Sequence, residues 1–155
     1  MMHEDDRSDL AELYQEMVLD HGKSPRNHRA IESPDRTAEG YNPLCGDQVT
    51  VYLAFDGGAI SDVSFESTAC AICTASSSMM TRALKGKSEA EARAMFASFQ
   101  TLLTDETVAP DEDTLGPLVA LGGVRRYPMR VKCATLPWHT LKAALDEASD
   151  PTTTE

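Results

Sequence analysis

From Gln48 to Phe55 apolar and polar residues alternate. Val49, Val51, Leu53 and Phe55 fall on one side, and Gln48, Thr50, Tyr52 and Ala54 on the other. A period of two places each set on one face of an extended chain, so this stretch predicts a half-buried strand. Asp56-Gly57-Gly58 supplies a tight turn, and Ala59 to Ser67 returns as the partner strand. Near the N-terminus the period lengthens. Leu10, Leu13, Met17 and Val18 share one face of a first helix, capped by Ser8 and stopped by Gly22. The stretch 23–40 is rich in Pro, Asn, Ser and charge and reads as loop.

From Cys70 the pattern turns helical. "CAICTASSSMMTRALKG" is too long and too poor in β-branched residues for a strand; it predicts a helix with a face of small residues, closed by Gly86. Ser88 and Glu91 form a capping box ahead of Ala92, Met95, Phe96, Phe99 and Leu102 at helical spacing. An acidic linker, "TDETVAPDED", leads to a short helix around 115–121 that Gly122-Gly123 ends. A last helix runs through Cys133 to about Ala148, with Leu136, Leu141 and Leu145 on its apolar side. Strands and helices are segregated along the chain rather than alternating. The fold class is therefore α+β, with a small antiparallel sheet of about three strands packed against several helices.

The 155 residues suit one domain spanning 1–155, with about seven residues at the N-terminus and about six at the C-terminus, the "PTTTE" tail among them, frayed. No apolar run approaches the ~20 residues that cross a bilayer, so no membrane role is expected. The acidic start "MMHEDDRSD" is not followed by an apolar core and is no signal peptide. These features predict a cytoplasmic protein with reduced thiols, which disfavours a disulfide framework for its four cysteines. A net charge of −11 argues against nucleic acid. Yet "GVRRYPMRVKC" gathers Arg125, Arg126, Arg130 and Lys132 within eight positions. That cluster is either a solvated loop or a docking patch for an acidic surface or an anion.

The cysteines carry the chemistry. Cys45 lies in a polar turn, "YNPLCGDQV", a poor place for a packing residue. Cys70 opens one helix, and Cys133 lies near the start of another. A compact domain can bring two helix N-termini and one loop together, and helix N-termini favour thiolates. Gathered thiolates are what zinc binds, and Asp47, two residues from Cys45, offers an oxygen. Cys73 completes a single C-x-x-C with Cys70 and is either a core residue or a ligand. The four histidines lie outside these segments and receive no metal role; Trp138 reads as a packing residue of the last helix.

The segments "YNPLCGDQVTVYL", "ACAICTASSSMMTRALKGKS" and "RYPMRVKCATLPW" together resemble the IscU/NifU N-terminal family of iron–sulfur assembly proteins, most closely its zinc-binding SufU branch. The similarity runs from about Leu10 to Ala148. Lys132 stands before the last cysteine where cluster scaffolds usually carry His. The scaffolds' chaperone-binding LPPVK motif is absent, and the stretch between Lys87 and Gly123 matches the longer middle section of the SufU type. The resemblance implies zinc held by Cys45, Asp47, Cys70 and Cys133, and a small sheet packed on helices. It implies a sulfurtransferase that accepts sulfur on Cys45 from a pyridoxal-phosphate cysteine desulfurase and hands it to downstream cluster-assembly machinery. It also implies that Arg130 works with that enzyme. Cys73 departs from the family, which usually has a small residue there, and leaves open whether it replaces Asp47 on the metal. Two other readings stay open: a scaffold whose cysteines hold a transient iron–sulfur cluster, and an adaptor whose zinc is only structural.

Overall fold

A computed structural model describes residues 15–105, 107–148 and 150–153. Its centre is the predicted hairpin. Strand β2 (Asp47–Asp56) and strand β3 (Ala59–Thr68) pair antiparallel around the Gly57-Gly58 turn. Both glycines have positive φ, as a tight turn between right-twisted strands requires. Val49, Val51 and Leu53 point inward with Ile60, Val63 and Phe65, as the alternation demands.

Among the described residues the sheet has four strands, in the order β3-β2-β1-β4. Strand β1 (Arg36–Asn42) pairs antiparallel with β2 and begins inside the stretch expected to be loop. Its inward positions are Ala38, Gly40 and Asn42, small or polar residues that leave no apolar alternation to read. Strand β4 (Thr152–Thr153) pairs parallel with β1, so the sheet is mixed and part of the tail expected to fray is ordered.

The helices cover one face. Helix α1 occupies 15–23 among the described residues and passes through Gly22 instead of stopping there; Ser8, Leu10 and Leu13 lie outside the described residues. Helix α2 (Ala71–Leu84) buries its predicted small-residue face, with Ser76, Ser77 and Ser78 fully enclosed. The Ser88–Glu91 capping box forms as expected and starts helix α3 (Glu89–Thr104). A single turn, α4 (Glu112–Leu115), continues into a 3-10 segment (Gly116–Arg126) that runs straight through the glycine pair expected to end it. Gly122 is buried there, and a β-carbon on it would lie 3.2 Å from Leu102 of α3.

Helix α5 (Pro128–Leu145) starts five residues before Cys133 and carries Pro137 inside it. Pro137 has no N–H, so the Cys133 carbonyl four residues back lacks its usual helical donor. Trp138 stacks on Phe99 at 4.8 Å and is fully buried, the packing role expected of it. The helix lies close over β1 because Gly40 lacks a side chain: a methyl group there would overlap Thr140 Oγ1. This close approach brings Cys133 to the end of the sheet where the β1–β2 loop lies. Among the described residues no helix is long and apolar enough to cross a membrane.

Candidate metal centre

Asn42 ends β1 and Asp47 begins β2, the two pair with each other, and the turn 43–46 that carries Cys45 joins them. Both are buried, and each reaches toward a different helix. Asp47 Oδ1 accepts the Cys70 backbone N–H at 2.9 Å, and its Oδ2 lies 3.9 Å from Cys70 Sγ. Asn42 Nδ2 lies 3.7 Å from Cys133 Sγ, and the Asn42 carbonyl accepts the Cys45 N–H at 3.2 Å. The base of the loop thus clamps both cysteine-bearing helices.

Donor atoms of Cys45, Asp47 and Cys133 all lie within 4.8 Å of one another. Cys45 Sγ and Cys133 Sγ are 3.5 Å apart, too far for a disulfide. Cys70 stands beside this trio, against Asp47. Tetrahedral bonds of ~2.3 Å to sulfur and ~2.0 Å to oxygen require donor separations of roughly 3.5–3.8 Å. The 3.5 and 3.9 Å separations found here come close to those edges. The two sulfurs and one oxygen of Cys45, Cys133 and Asp47 therefore suit zinc in kind and lie near enough to share it, while Cys70, 3.9 Å from Asp47 Oδ2, stands outside the group whose donors all lie within 4.8 Å of one another.

Cys70 is the N-cap of α2, as expected, and its sulfur accepts the Cys73 N–H at 3.4 Å. Cys133 differs from expectation. It sits in the second turn of α5, fully buried, so no helix N-terminus favours its thiolate. Burial pushes that thiol well up, and Asp47 and Cys45 around it push further. A cation placed among these groups would oppose that shift. Cys73 is fully buried and outside the trio; burial, and then the Asp47 and Cys70 charges, hold it as a neutral thiol.

No histidine joins the cluster among the described residues. His21 is buried with Nδ1 2.7 Å from Ser78 Oγ, His28 Nε2 accepts the Ser67 N–H, and His139 packs edge-on against Phe96. Arg130 is exposed on the first turns of α5 and lines a groove of about 760 Å³ with Ile72, Val124 and Tyr127. Ile72 lies between Cys70 and Cys73, so the groove abuts the cysteine end of the molecule. Leu44, Tyr127 and Met129 are exposed apolar residues of the segments that carry Cys45 and Cys133.

Sequence reasoning did not single out Asn42, which looked like a turn former before Pro43, nor Ser76, one small residue among several. Their roles depend on contacts with α5, which no local pattern announces.

The chain matches the family described as the NifU-like N terminal domain over residues 13–134. It is 38% identical over 143 residues to the iron-sulfur cluster assembly scaffold protein IscU of Streptococcus pyogenes serotype M1, covering 92% of this chain and 89% of that one. It is 37% identical over 135 residues to the zinc-dependent sulfurtransferase SufU of Bacillus subtilis strain 168, covering 87% and 90%. Among solved structures, an iron-sulfur cluster assembly scaffold protein for the SUF system from Fervidobacterium islandicum AW-1 superposes with a TM-score of 0.79 at 41% identity. That likeness covers 86% of this chain and 97% of that one. The N-terminal part of a NifU-like protein from Brucella abortus gives 0.79 at 27% identity, covering 89% and 95%.

Proposed function

The chain belongs to the NifU-like N-terminal domain family, and from that membership we propose that it serves iron–sulfur cluster assembly as a zinc-dependent sulfur acceptor. The observation that carries the reading is the unequal mounting of the donors. Cys70 and Cys133 sit on helices, fixed by the ladder and by packing. Cys45 sits on a four-residue turn whose Gly46 has φ +70° and open space around it. The turn can swing without disturbing the core; the helices cannot.

Zinc held by Cys45, Asp47, Cys70 and Cys133 would keep these thiols deprotonated at neutral pH. The protein's part is positional. Asp47, tied by the Cys70 N–H, presents an oxygen, and Gly46 lets the Cys45 turn move outward. A cysteine desulfurase carries a persulfide on its own cysteine. The Cys45 thiolate attacks the terminal sulfur, the enzyme's S–S bond breaks, and the enzyme's cysteine leaves as thiolate. Cys45 then bears the persulfide and passes it to downstream assembly machinery. Exposed Arg130, the basic residues beside it and the adjoining apolar groove offer the docking surface for the desulfurase. This work belongs in the cytoplasm, where thiols stay reduced.

A second reading, a scaffold that builds a transient cluster on the same cysteines, draws support from the scaffold names of several relatives. Metal analysis of aerobically purified protein separates them: one zinc and no colour supports transfer, whereas a brown protein supports the scaffold. The direct test is mass spectrometry after incubation with desulfurase and cysteine. The transfer reading expects one added sulfur on Cys45, lost in Cys45→Ser. Added sulfur on Cys70 or Cys133 with none on Cys45 overturns it.

A further inference from the structure

We infer that Asn42 is a positioning residue of the metal centre, an amide donor that holds the Cys133 sulfur while the Cys45 turn moves. The inference rests on the zinc reading above. Three observations lead to it. The side chain is fully buried at the base of the turn. Its Nδ2 lies 3.7 Å from Cys133 Sγ, within reach of an N–H···S bond, while its own carbonyl anchors the Cys45 N–H. Its Oδ1 is buried with no hydrogen-bond partner among the described residues.

The orphaned Oδ1 is the informative part. Burying an amide oxygen without a partner costs free energy, and a leucine, which branches in the same way, would avoid that cost. A residue kept only for packing has no reason to be asparagine here. An amide N–H aimed at the sulfur supplies the donor that a metal-bound cysteine sulfur, which can only accept, would otherwise lack.

The same geometry separates the three cysteines. The Cys70 sulfur has the Cys73 N–H at 3.4 Å, and the Cys133 sulfur has the Asn42 amide. Each donor draws charge from the thiolate it faces and pins it. The Cys45 sulfur has no N–H donor among the described contacts; its neighbour is the Cys133 sulfur. Two sulfurs are held and damped, and the third is left to leave and react.

Asn42→Leu tests this, because it keeps the branched shape and deletes both the donor and the orphan. The metal-free variant should melt at or above the temperature of the unaltered metal-free protein. Its zinc affinity, measured by competition with a chromogenic chelator, should fall about 10- to 100-fold, the usual cost of losing a group that supports a ligand. With Co²⁺ in place of zinc, the sulfur-to-cobalt charge-transfer band should shift to longer wavelength, since an undamped thiolate donates more readily. A residue that merely packs would move neither the affinity nor the band. Unchanged affinity and an unmoved band in a folded Asn42→Leu protein overturn the role of Asn42 alone. Failure of the unaltered chain to bind zinc overturns the reading beneath it. Asn42→Ala is the second variant, should leucine not fit. A cavity lowers its melting temperature, but the band shift must still appear, and its absence overturns the inference equally.

Discussion

Ser76 Oγ donates to the Ala134 carbonyl at 2.6 Å, across the buried contact between α2 and α5. Ala134 follows Cys133 directly, and α2 is the helix that Cys70 caps, so this bond ties together the two helices that carry Cys70 and Cys133. Ser76→Ala removes the hydroxyl with almost no change of shape. Losing a buried hydrogen bond should cost about 1–3 kcal/mol. The check is denaturant unfolding of the metal-free variant beside the unaltered protein; equal midpoints would show that the bond holds nothing in place.

The Asp47 carboxylate should be an oxygen ligand that limits how tightly the centre closes. Asp47→Cys substitutes a softer sulfur, so zinc should dissociate more slowly and sulfur uptake from the desulfurase should drop at least about tenfold. Zinc release to a chelator and persulfide formation on Cys45 are measured side by side. Full transfer by the variant contradicts the assignment.

Cys73 should be a core residue and not a ligand. Its buried thiol is held neutral by its surroundings. Cys73→Ser should keep one zinc per chain and most of the transfer activity, and lose stability by about 1–3 kcal/mol because a hydroxyl is placed where only sulfur packed. Loss of the zinc in that variant would make Cys73 the fourth donor in place of Asp47.

Acid should loosen the seat of α1. Burial lowers the pKa of His21, and the Arg26 and Arg82 charges lower it further, while the Asp20 charge opposes them. The neutral ring is the form that faces Ser78 Oγ. A folded pKa below the unfolded value of about 6.5 means this stabilisation is complete above that pH and is lost as pH falls toward the folded value. His139 is shifted in the same direction, by burial first and then by Lys142. The melting temperature should therefore fall between about pH 7 and about pH 5, and His21→Asn should remove part of the fall, His139→Asn another part. Superimposable pH profiles for the His21 variant and the unaltered chain would refute the role of His21.

Much of this protein is legible in one dimension. The hairpin of β2 and β3 shows in a period of two closed by Gly57-Gly58, and α3 in a capping box followed by a 3.6-residue stripe. These elements are coded by neighbours in sequence, because the residues that cap, turn or alternate act on backbone a few positions away. The proposed donors at Cys45, Asp47, Cys70 and Cys133 were recognisable as polar-flanked or helix-opening residues, and by resemblance. Strand β1 was not, since Ala38, Gly40 and Asn42 were selected for what α5 brings against them and not for alternation. Gly40 became meaningful only beneath Thr140, and Gly122 only beneath Leu102. The sequence likewise placed Cys133 near a helix start, but its pKa is raised by burial first and then by Asp47, Cys45 and Cys70, residues between 63 and 88 positions earlier. Local pattern specifies the elements because their forces are short-range along the chain. Which donors face one another, and which amide faces a sulfur, was decided by the packing of α5 over β1, a contact between distant segments that no stretch of sequence contains alone.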